Sequence, residues 1–182
     1  METKYTEKQL VNRGRHLAFL LRHDKDAFDT GVIDSSGWRQ VSELVKEQGY
    51  TRELLDAIVA TNNKQRYEFS DDKKKIRARQ GHSIPVDVGL EEAVPPKVLY
   101  HGTSAKAFYN DIVKDGLKPM SRQHVHLSSD EQTAQKVGSR HSKDVYIIKI
   151  DTERMHNDGY VFWKSANNVW LTNSVPSEYF IY

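Results

Sequence analysis

The sequence contains no cysteine among its 182 residues. This absence excludes disulfide bonds, thiolate nucleophiles and cysteine-based zinc sites together, and it fits a reducing compartment. No apolar run approaches the roughly 18 residues that a membrane-spanning helix needs. The polar residues 1–4 open a stretch without the apolar segment of a secretory signal. We therefore expect a cytoplasmic protein with no membrane partner.

An excess of positive charge is also lacking, because the formal net charge is only +2. So small a charge cannot by itself attract a polyanion, which would have to be held by a local patch of arginines. The phosphate-binding lysine motif, the G-x-G-x-x-G fingerprint and the G-x-S-x-G nucleophile motif are all missing. An enzyme acting on phosphates would therefore rely on arginines, and a dinucleotide would bind without a Rossmann fold.

The first half of the chain predicts helices followed by a β-hairpin. Thr6 and Gln9 form a capping-box pattern that opens a helix running to His23. A second helical period begins at Trp38, and Thr51 is placed to cap a third helix. Two strands are expected over 66–70 and 75–80. Helices followed by a hairpin resemble a winged helix-turn-helix.

The second half predicts a β-rich lobe after a linker over 84–97 that contains three prolines. A strand over 98–101 should stop at Gly102, and a helix should follow over 105–115. Ser129 with Gln132 forms a second capping-box pattern. Further strands are expected over 124–128, 145–150, 160–163, 169–172 and 179–182. We predict an α+β fold with lobes over 1–90 and 91–182.

Several arginines of the first half are candidates for phosphate binding. Arg22-His23 closes the first helix, where a cation also simply complements the helix dipole. Arg77 and Arg79 share one face of the hairpin, either as ordinary exposed charge or as guanidinium groups that bind phosphate bidentately. The adjoining turn is rich in hydrogen-bond donors, and its glycine would let the backbone approach an anion. This turn comprises Gln80, Gly81, His82 and Ser83.

Two segments of the second half suggest a ligand site. In His101-Gly102-Thr103-Ser104, glycine would let a flat ligand lie against the backbone while hydroxyl groups fix its polar edge. His124, His126 and Ser128 share one face of a strand. No carboxylate or cysteine stands at ligand spacing nearby, so we predict no metal site. Arg122 is either a solvated loop residue or an anion ligand.

Eight segments, taken together and in order, resemble the NAD-dependent RNA (tRNA) 2′-phosphotransferase family over nearly the whole chain. They are Leu20-Leu21-Arg22-His23, Gly37-Trp38, Lys64-Gln65-Arg66-Tyr67, Ile76-Arg77-Ala78-x-Gln80-Gly81-His82-Ser83, Leu99-Tyr100-His101-Gly102-Thr103, Arg122-x-His124-Val125-His126-Leu127-Ser128, Val137-Gly138-x-Arg140-His141 and Val169-Trp170-Leu171-Thr172. The resemblance implies an N-terminal winged-helix lobe that binds the RNA phosphate. It also implies a C-terminal lobe, related to ADP-ribosyltransferases, that binds NAD.

The implied reaction removes the internal 2′-phosphate left in a tRNA-like RNA at a splice junction. That phosphate attacks the anomeric carbon of the nicotinamide ribose of NAD⁺, and nicotinamide leaves. The ribose 2″-hydroxyl then attacks the phosphate, which releases RNA with a 2′-hydroxyl and ADP-ribose 1″,2″-cyclic phosphate. NAD is consumed as a co-substrate, no metal is needed, and no obligate protein partner is evident from the sequence.

The resemblance also implies which residues act. The catalytic set is Arg22, His23, Arg66 and Arg122, which suggests an active site between the lobes. The NAD-binding set is His101, Gly102, Thr103, Ser104, His126, Leu127, Ser128, Arg140 and Val169. The RNA-phosphate-binding set is Arg77, Gln80, Gly81, His82 and Ser83. Arg79 stands where the family often has a neutral residue, so we treat it as auxiliary.

Two other functions stay open from the sequence. One is an ADP-ribosyltransferase that caps terminal phosphates of RNA or DNA and stops there. The other is a non-catalytic winged-helix protein that binds nucleic acid, which would leave the histidine segments of the second lobe without a purpose. Val169 stands where chain-building poly(ADP-ribose) polymerases carry glutamate, which argues against that chemistry.

Overall fold

A computed structural model describes residues 4–182 of the chain. Helices and strands are both abundant in it, which confirms the α+β class. The chain divides into two compact units, one ending at Gly89 and the other beginning at Leu90. In the part of the chain that the structure describes, no helix has the length and apolar character to cross a membrane.

The first unit combines four helices with a small antiparallel sheet. Its elements are α1 (Glu7–Arg22), α2 (Lys25–Asp29), β1 (Arg39–Gln40), α3 (Val41–Glu47), α4 (Arg52–Thr61), β2 (Tyr67–Phe69) and β3 (Lys75–Ala78). The strand order is β1-β3-β2, with Tyr67 opposite Ala78 and Glu68 opposite Arg77. The predicted hairpin is thus confirmed with shorter strands.

The helix that carries Arg22 begins and ends where the sequence predicts. Thr6 accepts a hydrogen bond from the Gln9 backbone N–H, and the Gln9 side chain accepts one from the Thr6 backbone N–H, so the capping box is complete. His23 is the C-cap residue, and its N–H donates to Phe19. The buried Leu17, Leu20 and Leu21 fix this helix against the core of the unit.

Two details of the first unit differ from the prediction. Trp38 does not begin a helix, because β1 intervenes and α3 starts only at Val41. The short α2 was not predicted, although Asp24 caps it by accepting from the Ala27 N–H. A five-residue helix has too few positions for an apolar period to be visible in the sequence.

The second unit contains two antiparallel sheets. Its elements are β4 (Glu91–Glu92), β5 (Val98–Ser104), α5 (Ala105–Ala107), a π-helical turn (Phe108–Ile112), α6 (Val113–Asp115), β6 (Val125–Leu127), α7 (Glu131–Gly138), β7 (Val145–Asp151), α8 (Thr152–Asn157), β8 (Phe162–Lys164), β9 (Trp170–Thr172), a 3₁₀ turn (Ser177–Tyr179) and β10 (Phe180–Ile181). The strand orders are β10-β7-β5 and β4-β8-β9-β6, and a bridge between Tyr100 and Ser128 connects the sheets.

Three boundaries of the second unit were wrong in the prediction. β5 continues through Gly102 to Ser104 and does not stop at the glycine. Helix α7 is capped by Asp130, which accepts from the Thr133 N–H, so the Ser129 capping box does not form. The segment predicted as a linker contains β4, and its residues Ile84 and Val86 are buried in the first unit.

Candidate functional site

The end of α1 places Arg22 against a glycine and a tyrosine. Arg22 is buried, and its guanidinium carbon lies 5.9 Å from the centroid of the Tyr67 ring. Gly81 has a positive φ of +88°, and a Cβ there would lie 3.6 Å from the Arg22 guanidinium. A side chain at position 81 would be strained by this φ, while its Cβ would be in ordinary van der Waals contact with Arg22.

Arg66 lies near the same tyrosine. Burial raises the pKa of the Tyr67 phenol, while the positive charges of Arg22 and Arg66 oppose that rise. Both guanidinium groups therefore lie near enough to the Tyr67 phenol to lower its pKa. The O–H of this phenol donates to the Gly14 carbonyl. The Arg66 backbone is held by its N–H, which donates to the Asn62 side chain. The structure thus brings together two of the arginines that the resemblance assigns to catalysis.

His23 is joined to the turn that follows the hairpin. Its Nδ1 lies 2.9 Å from the Ser83 Oγ. The Arg22 carbonyl accepts hydrogen bonds from the N–H groups of Ser83, at 3.0 Å, and Ile84, at 3.4 Å. The last carbonyls of a helix have no partner within the helix, so residues 83–84 satisfy a group that α1 itself leaves open. Arg22, His23, Gly81 and Ser83 thus form one local arrangement.

The burial of His82 does not support the prediction that this residue contacts phosphate. Only 2% of the residue is exposed, and the Nε2 atom is buried without a hydrogen-bond partner within the described residues. Burial lowers its pKa to about 3, helped by the positive charges of Arg22, His23 and Arg77. A neutral, enclosed imidazole is not available as a cationic phosphate ligand, so this assignment finds no support in the geometry.

Arg77 and Arg79 are both paired with one carboxylate. Glu68 accepts from the Nε of Arg77 at 2.7 Å and from the Nε of Arg79 at 3.1 Å. Arg77 also donates to the Ser36 carbonyl and stacks 4.3 Å above the Trp38 ring. These contacts attach the hairpin to the turn before β1. They give Arg77 a structural role. Gln80, which lies two residues beyond the end of β3, is half-buried.

Arg39 was not among the predicted site residues, yet it braces the same helix end. It is 2% exposed, and its Nη1 donates to the Leu20 carbonyl at 3.0 Å and to Asp24 at 2.9 Å. Glu43 accepts from its Nε and Nη2. Arg39 therefore binds the backbone before Arg22 and the Asp24 carboxylate after His23. The i,i+4 spacing of Arg39 and Glu43 was the one sequence signal available.

In the second unit, His101 is held by the neighbouring sheet. Its Nδ1 lies 2.9 Å from the His126 carbonyl, which can only accept, so the proton is on Nδ1 and Nε2 is left as an acceptor. Burial lowers the pKa of His101 and the positive charge of Arg122 adds to this effect, while the carbonyl opposes it. Arg122 and His126 thus both lie near the His101 imidazole, which is neutral.

The glycine in this segment has a packing role. A Cβ on Gly102 would lie 2.0 Å from the Ala134 carbonyl oxygen and 3.1 Å from the Gly138 nitrogen. The bare side of Gly102 therefore faces α7, and we find no ligand cleft on that side. Ser104 likewise has a local task, because its Oγ caps α5 by accepting from the Ala107 N–H. Thr103 is half-buried and pairs with Tyr146 of β7.

Arg122 and Arg140 are close enough to influence each other. Burial lowers the pKa of Arg122, and the positive charge of Arg140 lowers it further. No ion pair connects either side chain to a carboxylate within residues 4–182. Two like charges placed together without a counter-ion favour the binding of an anion. The pair joins Arg122 of the predicted catalytic set to Arg140 of the predicted NAD-binding set.

The other predicted NAD-binding residues are less directly placed. Leu127 is 2% exposed and its side chain belongs to the core, so only its backbone could contact a ligand. Ser128 exchanges backbone hydrogen bonds with Tyr100. Val169 lies in the turn before β9, where its N–H donates to the Ser165 Oγ. Within the described residues no three histidine, aspartate or glutamate side chains cluster as metal ligands would.

The comparisons with known proteins identify the class to which this fold and these sites belong. A model of the RNA 2′-phosphotransferase, Tpt1/KptA family, a family of transferase enzymes, matches residues 8–174. The chain belongs to this family.

Curated relatives carry the same name. A probable RNA 2′-phosphotransferase of Fusobacterium nucleatum is 47% identical over 93% of this chain and 96% of its own. A protein with that name from Hahella chejuensis is 46% identical over 95% of this chain and 94% of its own. One from Escherichia coli is 42% identical over 97% of each chain. The similarity therefore covers both units.

Proposed function

We propose that this protein is an NAD-dependent RNA 2′-phosphotransferase whose catalytic residues are Arg22, His23, Arg66 and Arg122. The observation that carries the proposal is the arrangement at the end of α1. There the positive charges of Arg22 and Arg66 both lower the pKa of the Tyr67 phenol, and His23 is hydrogen-bonded to Ser83. The unit that contains them is proposed as the winged-helix lobe that binds the RNA phosphate.

Arginines suit the first half of such a reaction. The 2′-phosphate of the RNA is already anionic, so it needs to be positioned and does not need to be deprotonated. Guanidinium groups stay charged at all working pH values and bind phosphate oxygens in pairs. Arg22 is buried beside the Tyr67 ring, which limits its freedom before a phosphate arrives. Such a preorganised cation stabilises charge without rearrangement.

The second half of the reaction needs a proton carrier. A ribose hydroxyl must lose a proton as it attacks phosphorus, and the departing RNA oxygen must gain one. Among the four proposed catalytic residues only His23 has a side chain suited to carrying a proton, because the arginines stay charged. Arg66 and Arg122 are proposed to balance the charge that develops on the phosphate.

The second unit is proposed as the ADP-ribosyltransferase-like lobe. NAD⁺ supplies the ADP-ribosyl group that accepts the RNA phosphate. The residues present fit such a co-substrate, since the positive charge of Arg140, which lies near the catalytic Arg122, suits an anionic group of NAD⁺. His101 offers an acceptor nitrogen to a ribose hydroxyl, and its orientation is fixed by the His126 carbonyl. We also propose a cytoplasmic location for the reaction.

The proposal is tested by mass spectrometry of the products formed from NAD⁺ and an RNA with one internal 2′-phosphate. We expect RNA with a 2′-hydroxyl, nicotinamide and ADP-ribose cyclic phosphate. A parallel reaction with a 5′-phosphorylated oligonucleotide tests terminal capping. Transfer of ADP-ribose only to the terminal phosphate would replace our proposal with the capping reaction. Duplex binding that is independent of NAD⁺, without any product, would favour a non-catalytic binder.

A further inference from the structure

The contacts of His23 define a role for Ser83 that differs from direct contact with the RNA. We propose that Ser83 is a positioning residue, whose hydroxyl orients the His23 imidazole and selects its tautomer. The Ser83 Oγ lies 2.9 Å from the His23 Nδ1 and 3.4 Å from the Arg22 carbonyl oxygen. The hydroxyl therefore stands between a ring nitrogen and a backbone acceptor.

The 2.9 Å contact between Ser83 and His23 admits either direction, depending on the His23 tautomer, and the proposal assigns one of them. A carbonyl oxygen can only accept, so the Ser83 O–H donates to Arg22. The oxygen of Ser83 then has its lone pairs directed to His23 and accepts the proton of Nδ1. In a neutral imidazole one nitrogen donates and the other accepts. Nε2 is thereby the basic nitrogen of His23, and its direction is set by the Nδ1 bond.

The turn that carries Ser83 is held firmly enough for this task. The Ser83 N–H donates to the Arg22 carbonyl at 3.0 Å, which ties the serine backbone to the helix end that it serves. His82 and Ile84, on either side, are 2% and 3% exposed and anchor the turn in the interior. Ser83 itself is exposed. Its hydroxyl is thus positioned by buried neighbours while it faces the candidate site.

This role rests on the proposed function, in which a ribose hydroxyl passes its proton to Nε2 of His23. Removing the Ser83 hydroxyl takes away the hydrogen bond that is proposed to orient the ring and to select its tautomer. The first step, which relies on arginines, does not use this nitrogen. Loss of the hydroxyl should therefore slow the second step selectively, by about tenfold or more, in the range found when a partner that orients a metal-binding histidine is lost.

The experiment compares S83A with S83T, which keeps the hydroxyl, and with S42A, which removes an exposed serine of α3. Single-turnover reactions with 2′-phosphorylated RNA and NAD⁺ report each step separately. We expect the ADP-ribosylated RNA to accumulate only in S83A, with S83T close to the wild type and S42A unchanged. Equal rates in S83A and the wild type, or an equal loss of both steps in S83A, would overturn the proposal.

A second measurement does not depend on activity. The nitrogen chemical shifts of the His23 ring, measured by NMR on the full chain, distinguish a proton on Nδ1 from one on Nε2. We expect the Nδ1–H form in the wild type and in S83T, and a shift toward Nε2–H in S83A. The same tautomer in all three proteins would refute the role of Ser83. A wild type that forms no product would refute the proposed function, while the NMR result would still decide what Ser83 does.

Discussion

The buried histidine beside the candidate site should make the stability of the protein depend on pH. In the folded protein the pKa of His82 is lowered to about 3 from an ordinary value of 6.5. The unfolded chain therefore takes up a proton at a pH where the folded protein does not. Stability that is fully present above pH 6.5 is lost as the pH falls below that value, and the loss ends near the folded pKa.

The size of this effect follows from linkage. Each pH unit below the unfolded pKa costs about 1.4 kcal/mol until the folded pKa is reached. Lowering the pH from about 7.5 to about 5 should thus remove about 2 kcal/mol of stability through His82 alone. The variant H82F keeps a ring of similar size without a titrating group, and the buried Nε2 has no hydrogen bond to lose. H82Q serves as a polar alternative should the phenylalanine fit badly.

The assay is urea unfolding of the wild type and both variants at the two pH values. His16, His101 and His124, whose pKa values burial also lowers, contribute equally to all three proteins. The difference between wild type and variant therefore isolates His82. We expect the wild type to lose about 2 kcal/mol more than either variant on acidification. A wild type that instead gained stability relative to the variants would mean that His82 is a cation in the folded protein, as a phosphate ligand would be.

Three further predictions follow from the geometry. G102A should destabilise the protein by about 1–3 kcal/mol or more in urea unfolding, because its Cβ meets helix backbone at 2.0 Å. The control G14A, inside α1 with its Cβ 3.8 Å from the nearest atom, should stabilise by about 0.5–1 kcal/mol, and similar effects of both variants would contradict the packing argument. H23A should spare the first chemical step more than the second, which accumulation of ADP-ribosylated RNA would reveal and equal loss of both steps would disprove. R122A should reduce turnover more than R79A, whose guanidinium is already paired with a carboxylate; equal losses would reverse this ranking.

Local signals in the sequence predicted much of the fold. The capping box at Thr6 and the cap at Thr51 located the starts of two long helices, because both depend on residues only three positions apart. The prediction failed where distant packing decides. Gly102 was expected to stop a strand, yet β7 pairs with β5 along its whole length and carries the glycine inside the sheet. Nothing within the local sequence encodes that partner.

The candidate site was predicted less completely. The resemblance supplied its residues, and the structure brings Arg22, His23 and Arg66 close together. It could not supply the counter-ions, because Glu68 reaches Arg77 and Arg79 only when the hairpin closes. Arg39 escaped notice for the same reason, since one of its partners lies 15 residues away in sequence. Charge alone does not separate a structural arginine from one that binds substrate, whereas its partners in the folded chain do.

The two histidines near the end of α1 show that position in a motif does not determine chemical role. His23 and His82 both belong to segments that resemble the family, and both lie near Arg22. His82 is enclosed, and burial beside Arg22 and Arg77 keeps it neutral, so it can anchor a turn without adding charge to the site. His23 lies at the end of α1, and one of its ring nitrogens is hydrogen-bonded to the Ser83 hydroxyl, which is the arrangement that a proton carrier needs. The buried His82 thus anchors the turn from which the Ser83 hydroxyl contacts His23, so the two imidazoles are connected through the consecutive residues His82 and Ser83.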